Sequence, residues 1–188
     1  MLKKNAWILA LIAALVLGLA ACGDGGGGAG GGGGVVFNVS TFTGLTVGSD
    51  GINNYGIGNS NATLVIESGA LKVTAKGGYA GAKLAVGTAL SGSNDFRGDA
   101  SKAFTPEVGK THKITIKASA PAAGGATQFR TKCNNSDSTP STPNWFNLTA
   151  TPTDFVHTFV YASHDIIIDT PTSGTAFIIH SIKIEQLN

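Results

Sequence analysis

Apolar and polar residues alternate along most of this chain. Leu71, Val73 and Ala75 are set against Lys72, Thr74 and Lys76, the period of two that a half-buried strand needs. The same period returns at His112, Ile114, Ile116 and Ala118, set against Lys113, Thr115 and Lys117. Further strands are predicted over Val35–Phe42, Ala62–Glu67, Ala82–Val86, Ala126–Lys132, Trp145–Ala150, Phe155–Tyr161, Ile166–Ile168 and Ala176–Leu187. Clusters of Gly, Pro, Asn and Asp separate them. No stretch after residue 34 sustains a 3.6 period with helix caps. About ten short strands at this spacing predict an all-β fold, a two-sheet β-sandwich or a barrel. In the last segment Ile178, His180, Ile182 and Ile184 fall on one face, and Phe177 and Ile179 make its first half apolar on both sides. That segment is expected to be central in its sheet.

The first 34 residues break this pattern. Lys3 and Lys4 precede an apolar run from Ala6 to Ala21, and Leu19-Ala20-Ala21-Cys22 ends it. Charge, length and small exit residues are those of a secretory signal. The run falls short of the roughly 20 residues a membrane span needs. Its ending resembles the lipobox of bacterial lipoproteins, in which a diacylglycerol thioether forms on the cysteine before cleavage. The resemblance implies residues 1–21 as signal peptide and Cys22 as a lipidated first residue anchored in a membrane. It also implies a place in the bacterial cell envelope, extracytoplasmic, on the outer membrane or cell surface. Residues 23–34 read GDGGGGAGGGGG. Glycine carries the largest backbone entropy and brings no side chain to bury. Residues 22–34 are therefore expected to be a flexible tether, reaching roughly 20 Å on average. Residues 35–188 remain as one domain, long enough for its own core.

Composition narrows the function classes. The formal charge of +2 is that of Lys3 and Lys4, so the chain beyond them is near neutral. A nucleic-acid partner would want a basic face, and none is expected. Only 13% of residues are charged, so solubility falls to Ser, Thr, Asn and Gly. Besides Cys22 the sequence has one cysteine, Cys133; with Cys22 acylated no internal disulfide is available, and Cys133 reads as a bystander thiol in a polar segment.

Several local patterns follow one another in order. Gly69-Ala70-Leu71-Lys72-Val73-Thr74 opens a strand, and Gly78-Tyr79-Ala80-Gly81 makes a turn after it. Gly109-Lys110-Thr111-His112-Lys113-Ile114 opens another strand; Trp145-Phe146-Asn147-Leu148 follows, and Ile178-Ile179-His180-Ser181-Ile182-Lys183-Ile184 closes the chain. The succession, over roughly residues 37–186, resembles the jelly-roll carbohydrate-binding modules that accompany xylanases and glucanases. That resemblance implies a jelly-roll sandwich and a polysaccharide ligand. Two positions depart from it. His112 stands where the family usually has Tyr. His180 stands where it usually has an Asp that often helps bind a structural calcium, so no cofactor is expected and that calcium is in doubt.

Sugar binding calls for an apolar platform with a few fixed polar groups. Tyr79, in its Gly-flanked turn, is the leading candidate and matches the family's ligand-stacking position. Gln128 and Arg130 are two apart on one strand and share a face, with Phe129 turned into the core. Trp145 is a further candidate, although its W-x-x-L context is usually structural in the family and core packing is the expected role. Tyr55, in the loop expected from Asp50 to Asn61, is a candidate for one end of a groove. Gln128 and Arg130 equally suit an ordinary solvated strand face, and Tyr79 an ordinary rim tyrosine.

Catalytic chemistry is thinly represented. The 11 acidic residues include no E-x-D-x-E strand motif. Asp165 and Asp169 flank Ile166-Ile167-Ile168 and share a face, but about 13 Å of strand separates them, too far for a retaining glycosidase pair. They are expected to cap a short apolar strand. The histidines, His112, His157, His164 and His180, have no close metal spacing. His112 and His180 lie on apolar faces and are expected to be hydrogen-bonded core residues. A non-enzyme is expected. Arg97-Gly98-Asp99 in a polar loop is a short adhesion-type motif that arises often by chance. The rival to sugar binding is therefore a structural or adhesive sandwich making protein contacts, with a protein partner on the same membrane and no sugar site.

Overall fold

A computed structural model describes residues 34–48, 52–55, 62–84, 106–132, 144–162 and 165–187. The expected signal segment, Cys22, the expected glycine tether apart from Gly34, Arg97-Gly98-Asp99, Cys133 and His164 lie outside them. The described residues form eleven strands: β1 (Val35–Val39), β2 (Ile52–Tyr55), β3 (Ala62–Glu67), β4 (Ala70–Ala75), β5 (Ala80–Leu84), β6 (Thr111–Ser119), β7 (Gln128–Lys132), β8 (Asn144–Asn147), β9 (Thr153–Val160), β10 (Ile166–Thr170) and β11 (Ala176–Gln186). They build two antiparallel sheets of a jelly-roll β-sandwich. Sheet A runs β3-β4-β11-β6-β9, with β1 also on β11; sheet B runs β2-β5-β10-β7-β8. No helix occurs among the described residues.

Alternation decides which side chains meet between the sheets. Leu71, Val73, Ile114, Ile116, Phe177 and Ile179 from sheet A pack with Ile52, Leu84, Phe129, Ile166 and Ile168 from sheet B in one core. Phe129 lies 5.9 Å from Phe177 across the sandwich and 5.1 Å from Phe146 and from Phe155. A hydrogen bond of 2.6 Å between Thr131 Oγ1 and His157 Nδ1 ties the two sheets inside this core, and burial lowers the His157 pKa. His112 is fully buried too, with its Nδ1–H on the Lys110 carbonyl at 3.0 Å and its ring stacked on Phe159.

β11 is central, as its apolar sequence predicts: β6 covers one edge, and β4 and β1 share the other. The expected single face of Ile178, His180, Ile182 and Ile184 does not form. Ile179 pairs with Ala118 but Ser181 pairs with Lys117, so one residue of β11 has no opposite number. Such a β-bulge reverses the parity of the strand beyond it. Ile182 and Ile184 therefore enter the core while Ile178 and His180 do not.

Three other expectations change. Ile52–Tyr55 is a strand paired with β5, although the segment reads as a loop. Asp169 lies within β10, paired with Arg130 and Gly81, instead of capping its end. Trp145 is not in the core: Phe146 takes the inward position of β8 and Trp145 is 40% exposed. The tight β3–β4 turn is built by Ser68 and Gly69, both at positive φ, as a two-residue primed hairpin requires.

Candidate functional site

One register line crosses the whole of sheet B. Trp145 on β8 pairs with Arg130 on β7, Arg130 with Asp169 on β10, Asp169 with Gly81 on β5, and Gly81 with Tyr55 on β2. In antiparallel sheets directly opposed residues point to the same face. Phe129 and Ile168, the inward neighbours, are buried in the core, so this line lies on the outer face.

Its centre is an ion pair with unusual burial. Arg130 Nε donates to Asp169 Oδ1 at 2.6 Å and Nη2 to Oδ2 at 3.0 Å, a bidentate fork that fixes the guanidinium plane. The Asp169 side chain is fully buried and that of Arg130 is 11% exposed. Gly81 gives this pair its room. A Cβ on Gly81 would overlap the Ile168 carbonyl and lie 2.8 Å from the Asp169 Cβ.

The fixed guanidinium lies between two aromatic rings. Arg130 Cζ is 4.4 Å from the Tyr79 ring centroid and 5.4 Å from that of Trp145, both within cation–π range. Tyr79 and Trp145 remain 41% and 40% exposed. Tyr79 has φ 58°, a left-handed conformation that costs a non-glycine residue about 1–2 kcal/mol. Its amide donates to the Thr170 carbonyl at 2.8 Å, which anchors the turn at the end of β10. Backbone strain of this kind concentrates where a side chain has to be aimed. Gln128 extends the surface along β7, donating to Asn147 Oδ1 at 2.8 Å.

Of the residues singled out from sequence, Tyr79, Gln128, Arg130 and Trp145 come together on this face. Tyr55 ends β2 on the same register line. Sequence reasoning misses Asp169, which holds Arg130, and Gly81, which admits it. Asp165 also lies at this sheet but is engaged by Lys83 at 3.3 Å, so both carboxylates of the Asp165/Asp169 pair are tied into ion pairs. No group of three or more His, Cys, Asp or Glu side chains suited to a metal occurs among the described residues.

No protein-family model matches the sequence, and no curated protein does either. Solved structures do resemble the fold. The CBM22-1 xylan-binding domain of Paenibacillus barcinonensis Xyn10C matches with a TM-score of 0.52 at 12% identity, over 85% of this chain and 99% of that one. The apo CBM1 of BiXyn10A matches with a TM-score of 0.51 at 12% identity, over 80% of this chain and 97% of that one. The CBM22-1–GH10 modules of the Clostridium thermocellum xylanase Xyn10B, complexed with xylohexaose, match with a TM-score of 0.52 at 17% identity. There the match covers 82% of this chain and only 29% of the xylanase chain. The structural neighbours are thus carbohydrate-binding modules attached to xylanases. At these identities the likeness concerns the fold, and a fold by itself does not carry a function.

Proposed function

We propose that this protein binds a polysaccharide without cleaving it, using the outer face of sheet B, and that lipid on Cys22 holds it to the bacterial envelope. The observation that carries the binding reading is the pair of half-exposed rings, Tyr79 and Trp145, on either side of a buried guanidinium. Pyranose rings offer apolar C–H faces to aromatic rings and hydroxyls to planar polar groups. Tyr79 and Trp145 supply the first kind of partner, and Gln128 and Asn147 the second. Their support is already ordered before ligand arrives, because Arg130 is locked by Asp169; preorganisation of this kind lowers the entropy cost of binding. A glycine tether between lipid and domain would let many copies engage one polymer, giving avidity to a shallow site.

Affinity electrophoresis through gels carrying xylan, β-glucan, mannan or no polysaccharide tests this reading. Retardation in at least one gel, abolished by Tyr79→Ala and by Trp145→Ala with the fold retained, is expected. Uniform mobility across the panel would remove the sugar-binding reading and favour a sandwich kept for protein contacts. The anchor is tested separately by metabolic labelling with a palmitate analogue, with incorporation expected in the wild type and lost in Cys22→Ser.

A further inference from the structure

The opposite side of the sandwich carries a recess. On the outer face of sheet A, Ser40, Lys117, Pro152, His180 and Ser181 line an open cleft of about 500 Å³. The bulge in β11 makes its floor. A regular strand would turn His180 and Ser181 to opposite faces; the extra residue lets both line the same cleft. Bulges of this kind commonly re-aim a side chain beside a functional site.

The chemistry gathered there is that of an anion receptor. His180 Nε2 is 2.9 Å from Ser119 Oγ, a nearly buried hydroxyl that sets the orientation of the ring. No hydrogen-bond partner for Nδ1 occurs among the described residues. Lys117 has no ion pair among them either. The other outward lysines of the neighbouring strands are paired. Lys72 on β4 pairs with Glu67, and Lys113 on β6 and Lys183 on β11 pair with Glu185. β1 carries no charge, and the exposed Asp154 on β9 stands opposite Lys117 in register. Burial, and then the charge of Lys117, lower the His180 pKa.

We infer that this cleft is an oxyanion site for the carboxylate of an acidic sugar or a comparable phosphate group, bound by the Lys117 ammonium, the His180 ring and the Ser40 and Ser181 hydroxyls. The inference does not depend on sugar binding at sheet B. An anion favours the protonated His180 ring, which then donates from both nitrogens. Binding therefore tightens as pH falls, and by linkage the bound anion raises the His180 pKa.

NMR titration of the His180 ring in the intact protein tests this, with sodium glucuronate and sodium phosphate as probes and glucose as the neutral control. The expected result is a His180 midpoint raised by glucuronate, by phosphate or by both, with glucuronate, whose own charge does not change over this range, bound about tenfold more tightly near pH 5 than near pH 8. Glucuronate alone would identify a sugar-acid site and both together a general oxyanion site. Lys117→Gln should weaken binding about tenfold, and Lys113→Gln, on the same sheet face but engaged by Glu185, should leave it unchanged. An unmoved His180 midpoint with both anions would overturn the inference. So would an equal response to glucose, or equal weakening by the two lysine variants.

Discussion

The two outer faces of the sandwich handle charge in opposite ways. Away from the His180 cleft, sheet A presents Lys and Glu among threonines, in pairs such as Lys72–Glu67 and Lys113–Glu185 that stay in contact with water. Exposed pairs of this kind contribute little to stability. Sheet B instead buries a carboxylate completely and a guanidinium nearly so. Desolvating two ions costs several kcal/mol each, and only a well-formed fork with further contacts offsets that. The face of sheet A is built to be solvated. The face of sheet B is built to hold one planar group still between two exposed rings.

The largest expected effect comes from breaking the fork. Asp169→Asn removes the carboxylate charge with little change of shape and takes from the nearly buried guanidinium the anion that its fork grips. A loss of about 3–5 kcal/mol in urea unfolding is expected. A loss like that of a surface pair would erase the contrast between the faces. Gly81→Ala comes next. Its Cβ would press on the Ile168 carbonyl and on Asp169, and forcing β5 from β10 should cost about 1–3 kcal/mol.

These two residues also mark where the sequence stops being readable. Ten strand candidates are legible because alternation and turn residues are local signals. β2 is not, because Ile52-Asn53-Asn54-Tyr55 offers one core side chain and two asparagines of low strand propensity; its pairing with β5 supplies the rest. Gln128 and Arg130 can be placed on one face from their spacing. Their partner Asp169 cannot, because it lies 39 residues from Arg130 and meets it only through the β7–β10 register. Trp145 is misplaced when a motif is weighted over parity: with Phe146 inward, its neighbour has to face out. The bulge at His180 has no local signature in an apolar run, so simple alternation assigns the faces of β11 wrongly beyond it.

Smaller effects separate binding from stability. Tyr79→Ala and Trp145→Ala should each weaken polysaccharide binding about tenfold or more, as gel retardation reads it. The thermal midpoint should hardly move, because both rings are half exposed. Smallest of all is the ion pair on sheet A. Lys113→Ala should cost about 0.2–1 kcal/mol. Lys113 and Lys183 hold the Glu185 carboxyl below its ordinary pKa. A carboxylate with a depressed folded-state pKa stabilises above its unfolded value and loses that contribution as pH falls through the folded one. The Lys113→Ala deficit should therefore be present at neutral pH and shrink on acidification below about pH 4.5.

The most direct test of the central claim is a residue-resolved NMR map during titration with the oligosaccharide of whichever polysaccharide retards the protein, or with xylohexaose if none has been identified. Saturable shifts of the Trp145 indole N–H and of the Tyr79 and Arg130 amides, with Lys72, Lys113 and Thr115 on sheet A unmoved, are the predicted result. Shifts confined to sheet A, or none on the outer face of sheet B at saturating ligand, would contradict the assignment of that face as the carbohydrate platform.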